Sequence, residues 1–487
     1  MYFHRRMLFN SIDFAVFLVV VFALYWAIPR RWKWQNLLVL AASYVFYGWW
    51  DWRFLSLIVV STGIDFAVAS ALGRAQDPRR RKGLLAVSLT ANLGLLGFFK
   101  YYDFFVESFT EAFTWFGVEI EPATLGWVLP VGISFYTFQT LSYTIDVYRR
   151  TLAPEKNLMA FGAYVSFFPQ LVAGPIERAS NLLPQFGRQR TFDAQAAADG
   201  LRQMLWGLFK KVVIADNCAR FADAMFGWPH EYSGAMLALG AVFFALQIYG
   251  DFSGYSDMAI GTAKLFGFEL KQNFAFPYFS RDIAEFWRRW HISLSTWFRD
   301  YVYIPLGGSR VSKAKAVRNT FIIFLISGFW HGANWTFVVW GLVHALCFLP
   351  LLLGGRNRKY LGVIGQDGFP RWHEWLRMLG TFVVVCLAWV FFRASSLGKA
   401  GEYFDGLTTF KEWGQIDFSS FPNPTATALM IVFMVLVEWF GRRGQHGLQV
   451  WKQKLPAAAR WGGYVLILFF ISMFMRVGDI TFIYFQF

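Results

Sequence analysis

Long stretches without a charged side chain recur from one end of this 487-residue chain to the other. The apolar runs lie at about 12–28, 35–50, 54–73, 84–99, 126–145, 158–173, 233–249, 320–353, 380–392, 425–440 and 462–476. Several approach the roughly 17–25 residues that a helix needs to cross a hydrocarbon core about 30 Å thick. Hydrophobic residues make up 56% of the chain, above the roughly 45–50% of soluble domains. The pattern predicts an all-α polytopic integral membrane protein, and it excludes a disordered chain or a secreted disulfide scaffold.

The charges between these runs predict how the chain lies in the lipid bilayer. Most of the formal net charge of +15 falls in the loops 29–34, 74–82, 178–211, 271–318 and 354–377. Basic loops remain in the cytoplasm, so this bias accounts for most of the excess charge, although a basic face also attracts anions. No nucleic-acid-reading motif accompanies it, so no nucleic-acid partner is expected. The run 158–173 has basic flanks on both sides, which favours a re-entrant segment.

Residues 320–353 contain no Lys, Arg, Asp or Glu. As one helix they would reach about 51 Å, well beyond the hydrocarbon core. Basic residues flank both ends, which predicts two helices that enter the membrane and return. We expect the break between Gly328 and Asn334, where helix propensity is lowest.

His331 falls inside this predicted break. An ionisable group at membrane depth is by default a candidate functional site, and imidazole exchanges protons near neutral pH. The alternative is a neutral core histidine that links two helices by hydrogen bonds. The neighbouring Gly332 and Asn334 indicate a polar cavity and favour function. His344 lies in an uninterrupted helical stretch and is interpreted as structural.

Residues 280–305 carry an apolar stripe at helical spacing, opposite several arginines. This pattern predicts an amphipathic helix at the membrane interface. Arg288, His291 and Ser295 fall at i, i+3 and i+7, so they are expected to share one face. The alternative is a plain interfacial helix with a solvated charged face, and periodicity alone favours that alternative.

Carboxylates and hydroxyls follow directly on the apolar run 233–249. The stretch 247–257 includes Tyr249, Asp251 and Ser253, and its glycines permit a tight bend. We interpret it either as the lining of a cavity or as a helix cap, with equal weight.

Motifs of common soluble enzymes are absent: the sequence has no P-loop, no dinucleotide-binding G-x-G-x-x-G, no G-x-S-x-G and no H-E-x-x-H. Cys218, Cys347 and Cys386 lie in apolar surroundings without a C-x-x-C or a histidine at metal spacing. Neither a disulfide framework nor a metal site is expected.

The segment FWRRWHISLSTWFRDYVYIPLGG at 286–308 closely resembles the signature of the membrane-bound O-acyltransferase family. Further resembling stretches are GISFYTFQTLSYTIDVYR (132–149), FFPQLVAGPIER (167–178), QIYGDFSGYSDMAIG (247–261), GFWHGANWTFVVWG (328–341) and WVFFRA (389–394). The YIPLGG ending is similar to the branch that O-acetylates alginate, more than to the branch that transfers D-alanine to teichoic acids. Peptidoglycan O-acetylation proteins share the same membrane part.

The resemblance implies a single domain over 1–487, built as a helical bundle with a trans-bilayer tunnel. It implies about 10–12 membrane helices plus re-entrant and interfacial helices, with a catalytic core at about 130–355 and C-terminal membrane helices at about 378–476. It places the protein in the bacterial inner membrane. No bound cofactor is expected; acetyl-coenzyme A would be the cytoplasmic donor. The acceptor would be a polysaccharide, reached directly or through a periplasmic partner that relays acetyl groups.

The resemblance also assigns roles to residues. His331 matches the family's invariant histidine, and His291 matches its second polar catalytic position. We expect His331 to act as a base toward the acceptor hydroxyl, with His291 or Asn334 orienting groups or donating to the carbonyl oxygen; a transient acyl-histidine is the alternative. The expected tunnel-lining residues are Asn334, Trp330, Ser295, Tyr249, Asp251 and Ser253. The residues expected to meet the donor's phosphates are Arg288, Arg289 and Lys271.

A transporter or flippase is the contrasting hypothesis. Transporters often have paired broken helices in two repeated halves. This sequence has one predicted broken hairpin and no internal repeat, so a transporter is disfavoured.

Overall fold

The computed structural model describes residues 7–28, 31–114, 116–172, 174–365, 369–409 and 415–475. Over these ranges the regular structure is helical, without a strand. Seven segments within them are long and apolar enough to cross a membrane: Trp32–Arg74, Pro78–Thr114, Gly234–Leu265, Trp335–Leu353, Trp372–Arg393, Pro424–Gly441 and Ala457–Phe474. The predicted all-α polytopic fold is confirmed. The seven segments are fewer than the predicted 10–12 spans. The first segment merges the runs 35–50 and 54–73, and two other apolar segments, Ile12–Ala27 and Leu158–Leu171, are shorter.

The described residues fall into two compact units. The first holds the residues up to Ala198 together with Thr262–Lys271. Its helices are α1 (Ile12–Ala27), α2 (Trp32–Asp51), α3 (Leu55–Arg74), α4 (Pro78–Leu96), α5 (Tyr102–Thr114), α6 (Ile133–Tyr148), α7 (Leu158–Val165), α8 (Phe168–Leu171) and α9 (Ala179–Phe186). The apolar run 158–173 thus forms two short helices, α7 and α8, neither long enough to cross the hydrocarbon core.

A buried carboxylate joins three helices of this first unit. Asp65 of α3 is 0% exposed. It accepts hydrogen bonds from Ser88, from Asn92 Nδ2 at 2.8 Å and from Thr144 Oγ1 at 3.0 Å. A buried polar group needs such partners, so this cluster aligns α3 with α4 and α6.

The second unit holds Asp199–Gly261 and the described residues from Gln272 onward. Helix α10 (Ala194–Phe209) leads into it. Its other helices are α11 (Asp216–Gly227), α12 (Gly234–Leu265, ending in the first unit), α13 (Ile283–Arg289), α14 (Ile292–Phe298), α15 (Lys313–His331), α16 (Trp335–Leu353), α17 (Trp372–Arg393), α18 (Leu397–Thr408), α19 (Pro424–Gly441), α20 (Trp451–Lys454) and α21 (Ala457–Phe474). A π-helical segment, Lys210–Ala215, joins α10 to α11.

Helices α15 and α16 form the predicted broken hairpin. Helix α15 ends at His331, Gly332 is extended, and Asn334 caps α16. A Cβ atom at Gly328 would overlap the carbonyl oxygen of Phe337, and one at Gly341 would overlap that of Phe324. Small residues let two helix backbones approach this closely. The prediction of a break between Gly328 and Asn334 is therefore confirmed.

Helix α12 packs against α10 and the π-helical segment through glycines. A Cβ atom at Gly250 would press on the carbonyl oxygen of Lys210, and one at Gly254 on that of Gly207. Of the two interpretations of 247–257, the helix cap is therefore wrong: the stretch lies inside α12, where its glycines serve close packing. The reading of 178–211 as a basic loop is also wrong, because these residues include α9, α10 and two buried lysines.

Candidate active site

The last residue of α15, His331, lies in an aromatic enclosure. Its side chain is 3% exposed. Its ring centroid lies 5.0 Å from that of Trp330, 5.1 Å from Trp340 and 5.2 Å from Phe392. Trp340 belongs to α16 and Phe392 to α17, so three helices hold this imidazole. Such an enclosure leaves the ring little access to bulk water.

The second predicted histidine, His291, sits at a break between α13 and α14. Its backbone has φ 43° and ψ 56°, in the left-handed region. A non-glycine residue there is strained, and such strain concentrates at functional sites. The prediction of one amphipathic helix over 280–305 is therefore wrong. So is the shared helical face of Arg288, His291 and Ser295, because the chain turns between them.

Asn273 holds the strained histidine in place. His291 Nδ1 lies 3.1 Å from Asn273 Oδ1, and the backbone N–H of Ile292 donates to the Asn273 carbonyl oxygen at 2.8 Å. Both side chains are 0% exposed. Burial penalises the charged imidazolium and lowers the pKa of His291 to about 3. His291 is therefore neutral at physiological pH.

One indole connects the two histidines. The ring of Trp330 lies 6.1 Å from that of His291 and 5.0 Å from that of His331, measured between centroids. Trp330 is itself 4% exposed. The structure thus brings together the two histidines and the tryptophan that the sequence analysis assigned to the site. Their catalytic and tunnel-lining roles stay predictions.

Asn334 and Ser295 take other positions. The side chain of Asn334 caps α16, since its Oδ1 accepts from Thr336 N at 3.0 Å while its Nδ2 donates to the Ser395 carbonyl at 2.8 Å. This geometry favours a capping role for Asn334. The hydroxyl of Ser295 donates to the Trp290 carbonyl oxygen at 3.3 Å. His344 fits the structural interpretation, because it is 0% exposed and its Nδ1 accepts from Trp287 Nε1 at 3.3 Å.

The three candidates on α12 belong to a buried ionic cluster. Tyr249 donates its hydroxyl to the Glu438 carboxylate at 2.9 Å, and Ser253 accepts from Lys210 Nζ at 2.8 Å. Asp251 pairs with Lys211 Nζ at 2.7 Å. These three contacts link α12 to the π-helical segment and to α19. This geometry favours a role in supporting the fold around the site.

The two consecutive lysines at the centre of this cluster escaped sequence analysis. Lys210 Nζ also contacts Asp257 at 2.7 Å, and Lys211 Nζ contacts Asp216 at 2.8 Å. Burial lowers the pKa of Lys211, but the attraction of Asp251 and Asp216 outweighs burial and raises that pKa above its ordinary value. A basic pair next to an apolar run resembles a cytoplasmic loop in sequence, and only the fold reveals its partners.

A pocket of about 200 Å³ opens within the second unit. Helix α15 contributes Thr320, Ile323, Phe324 and Ser327 to the lining, at helical spacing. Ser327 lies one turn before His331 on the same helix. The mouth carries two guanidinium groups, of which Arg299 pairs with Asp300 at 2.7 Å and Arg358 is exposed. The residues around the pocket are Trp287, Ser295, Phe298, Arg299, Tyr303, Ser309, Thr320, Ile323, Phe324, Ser327, Phe348, Asn357 and Arg358.

The predicted donor-binding residues lie outside this lining. Arg288 donates to the carbonyl oxygens of Asn357 and Tyr360, each at 2.7 Å, and so holds the loop that supplies Arg358. Arg289 pairs with buried Glu285 at 2.7 Å. Lys271 belongs to the first unit, where its backbone N–H donates to Glu177. This geometry gives the two arginines a supporting role, and their contact with a donor stays a prediction.

The helical membrane fold is that of a polytopic membrane protein, and comparison with known proteins identifies its class as a membrane-embedded acyltransferase. A model of the membrane-bound O-acyltransferase family matches residues 149–358. The chain belongs to this family, as relatives over most of its length also show. It is a multi-pass membrane protein with O-acyltransferase activity.

Three relatives represent three acyl acceptors. The probable alginate O-acetylase AlgI of Pseudomonas aeruginosa is 40% identical, over 93% of this chain and 85% of that protein. The peptidoglycan O-acetyltransferase of Helicobacter pylori is 37% identical, over 78% of this chain and 73% of that protein. The teichoic acid D-alanyltransferase of Bacillus subtilis is 27% identical, over 54% of this chain and 68% of that protein.

Proposed function

We propose that this protein takes an acetyl group from acetyl-coenzyme A at the cytoplasmic face of a bacterial inner membrane. The group is passed across the membrane for O-acetylation of an extracellular polysaccharide such as alginate, directly or through a periplasmic relay partner. The 40% identity with probable alginate O-acetylases over most of both chains supports this acceptor. The basic loops support a cytoplasmic mouth for an anionic donor.

The observation that carries the proposal is His331, buried among aromatic rings at the break between two helices. Its imidazole removes the proton from an acceptor hydroxyl, and the oxygen attacks the carbonyl carbon of the thioester. The carbon–sulfur bond then breaks, and coenzyme A leaves as a thiolate that takes up the proton. A thioester is already activated, so the site has to supply a base and a dry enclosure.

The pocket beside α15 is suited to the donor. Its apolar wall fits the acyl-pantetheine arm, and Arg299 and Arg358 at its mouth complement phosphate. Ser327 and His331 are separated by about 6 Å along the helix axis, so a thiol arm lying along α15 points toward the catalytic histidine. This arrangement supports entry of the donor from the end that bears the arginines.

The overall reaction is tested with membranes from cells that produce the protein and the polymer. We expect radiolabel from acetyl-coenzyme A to appear in polysaccharide as base-labile O-acetyl ester. The exposed His230 provides a histidine control, because His230→Ala leaves the buried pair untouched. Label in peptidoglycan instead would favour the acceptor of the Helicobacter relative. Transfer of D-alanine alone would favour the teichoic acid reaction, and no transfer at all would favour transport.

The donor site is tested by reversing one charge. Arg358→Glu is expected to raise the KM for acetyl-coenzyme A about tenfold with little change in kcat, because a charge-assisted contact to phosphate is lost. The KM for acetyl-pantetheine, which has no nucleotide, should stay the same. Arg356→Glu is the matched control, since Arg356 is exposed on the same loop but lies outside the pocket lining. Equal effects on both donors would argue against phosphate binding here.

A further inference from the structure

The geometry around neutral His291 determines which of its two ring nitrogens carries the proton. Asn273 Oδ1 lies 3.1 Å from His291 Nδ1 and 3.3 Å from the backbone nitrogen of Ser293. A backbone N–H only donates, so the amide atom facing it must be the oxygen. The opposite end agrees, since Asn273 Nδ2 donates to Ser256 Oγ at 3.1 Å.

This orientation of the amide dictates the histidine tautomer. An oxygen at 3.1 Å from Nδ1 accepts a hydrogen bond only if Nδ1 carries the proton. A bare Nδ1 would bring two lone pairs together inside the protein. The Ser293 hydroxyl lies 3.5 Å from Nδ1 but already donates to Asn273 Oδ1 at 2.8 Å, so the hydrogen bond of a bare Nδ1 would stay unmet, which is costly. In a neutral imidazole, a proton on Nδ1 leaves Nε2 as an acceptor.

We propose that Asn273 is a positioning residue that holds neutral His291 in the Nδ1–H tautomer, so that His291 meets the reacting groups through Nε2 as a hydrogen-bond acceptor. This inference rests on the proposed acyl transfer and refines it. The single N–H of the neutral ring is used by Asn273, so His291 does not donate to the oxyanion. Of the two roles open to His291, orientation of the acceptor hydroxyl is the one that the tautomer permits.

The tautomer is read directly by NMR of the full-length protein in lipid nanodiscs, with ¹³C,¹⁵N-labelled histidine. His291→Gln identifies the resonances that belong to this ring. We expect a protonated Nδ1 and an unprotonated Nε2 at neutral pH. A protonated Nε2 would overturn the proposal. This measurement needs no turnover, so it remains decisive even if the protein transfers no acetyl group.

Kinetics then test whether the tautomer matters. Asn273→Leu removes the oxygen at similar size, and kcat is expected to fall about 10- to 100-fold while the KM for the donor stays the same. Asn273→Asp keeps the oxygen and adds a negative charge, which raises the pKa of His291. The pH at which the His291 ring takes up its second proton, read from its ¹⁵N chemical shifts, should therefore rise by about one to three units.

A matched variant separates positioning from folding. Asn217 is also buried, and its Nδ2 donates to the carbonyl oxygens of Val212 and Val213. Asn217→Asp places a carboxylate in the fold without a contact to His291, so it should lower the yield of folded protein and leave the titration of the His291 ring where it is. An unshifted titration of the His291 ring in Asn273→Asp, at normal yield, would refute the positioning role, and so would a normal kcat in Asn273→Leu.

Discussion

Replacing His331 by alanine is expected to reduce acyl transfer by about 10²- to 10⁴-fold, the contribution of a positioned general base. The side chain is 3% exposed and its ring contacts three aromatic rings from three helices. A base from solution therefore has little access to the site and does not readily replace the imidazole. The measurement is the rate of label transfer from acetyl-coenzyme A, corrected for the amount of folded protein in the membrane.

Two further variants make this result specific. His331→Gln keeps a polar side chain of similar size, and it should be as inactive as His331→Ala because it has no basic nitrogen. His230→Ala should transfer at the wild-type rate, since His230 is exposed. Normal transfer by His331→Ala would leave this histidine a structural role only. Label that accumulates on wild-type protein without an acceptor, and is absent from both His331 variants, would indicate an acyl-histidine intermediate.

The hairpin that carries His331 was predictable because two strong constraints coincide. A run from 320 to 353 is too long for one crossing, and its least helical residues cluster in one place. The chain then breaks between His331 and Trp335, within the predicted window. Bilayer thickness and local propensity act on the sequence directly, so no knowledge of distant contacts was needed.

The break at His291 follows from contacts that the local sequence does not contain. The apolar spacing of 280–305 continues through His291 without a glycine or proline, so it predicts an unbroken helix. Hydrogen bonds from Ile292 N and Ser293 N to Asn273 compensate for the left-handed turn. Tertiary contacts with a residue in a preceding loop override helix propensity here, as they often do.

The ionic cluster escaped prediction for a related reason. Lys210 and Lys211 follow an apolar segment and resemble the basic edge of a cytoplasmic loop. Their partners Asp251 and Asp257 lie on another helix, and Glu438 lies on a third. A count of charges along the sequence does not reveal ion pairs that form only when helices pack. The sequence therefore predicts that both lysines are exposed to solvent.

Replacing Lys211 by methionine is expected to destabilise the protein by about 3–5 kcal/mol, the effect of removing one partner from a buried ion pair. Its ammonium lies 2.8 Å from Asp216 and 2.7 Å from Asp251, with 1% of the side chain exposed. Methionine fills similar space, so packing is largely kept while two carboxylates lose their common cation. The measurement is the apparent midpoint of thermal unfolding in detergent at a fixed scan rate, because unfolding of such proteins is often irreversible.

Two further variants test whether the loss of stability comes from the missing charge. Lys399 pairs with Glu402 at 2.7 Å, but both side chains are about half exposed, so Lys399→Met should cost no more than about 1 kcal/mol. Neutralising the carboxylates together with the lysine, as Lys211→Met/Asp216→Asn/Asp251→Asn, should recover part of the lost stability, since no uncompensated charge stays buried. If the triple variant unfolds at a lower temperature than Lys211→Met, then the carboxylates contribute through other contacts, and the lysine is not the group that their burial depends on.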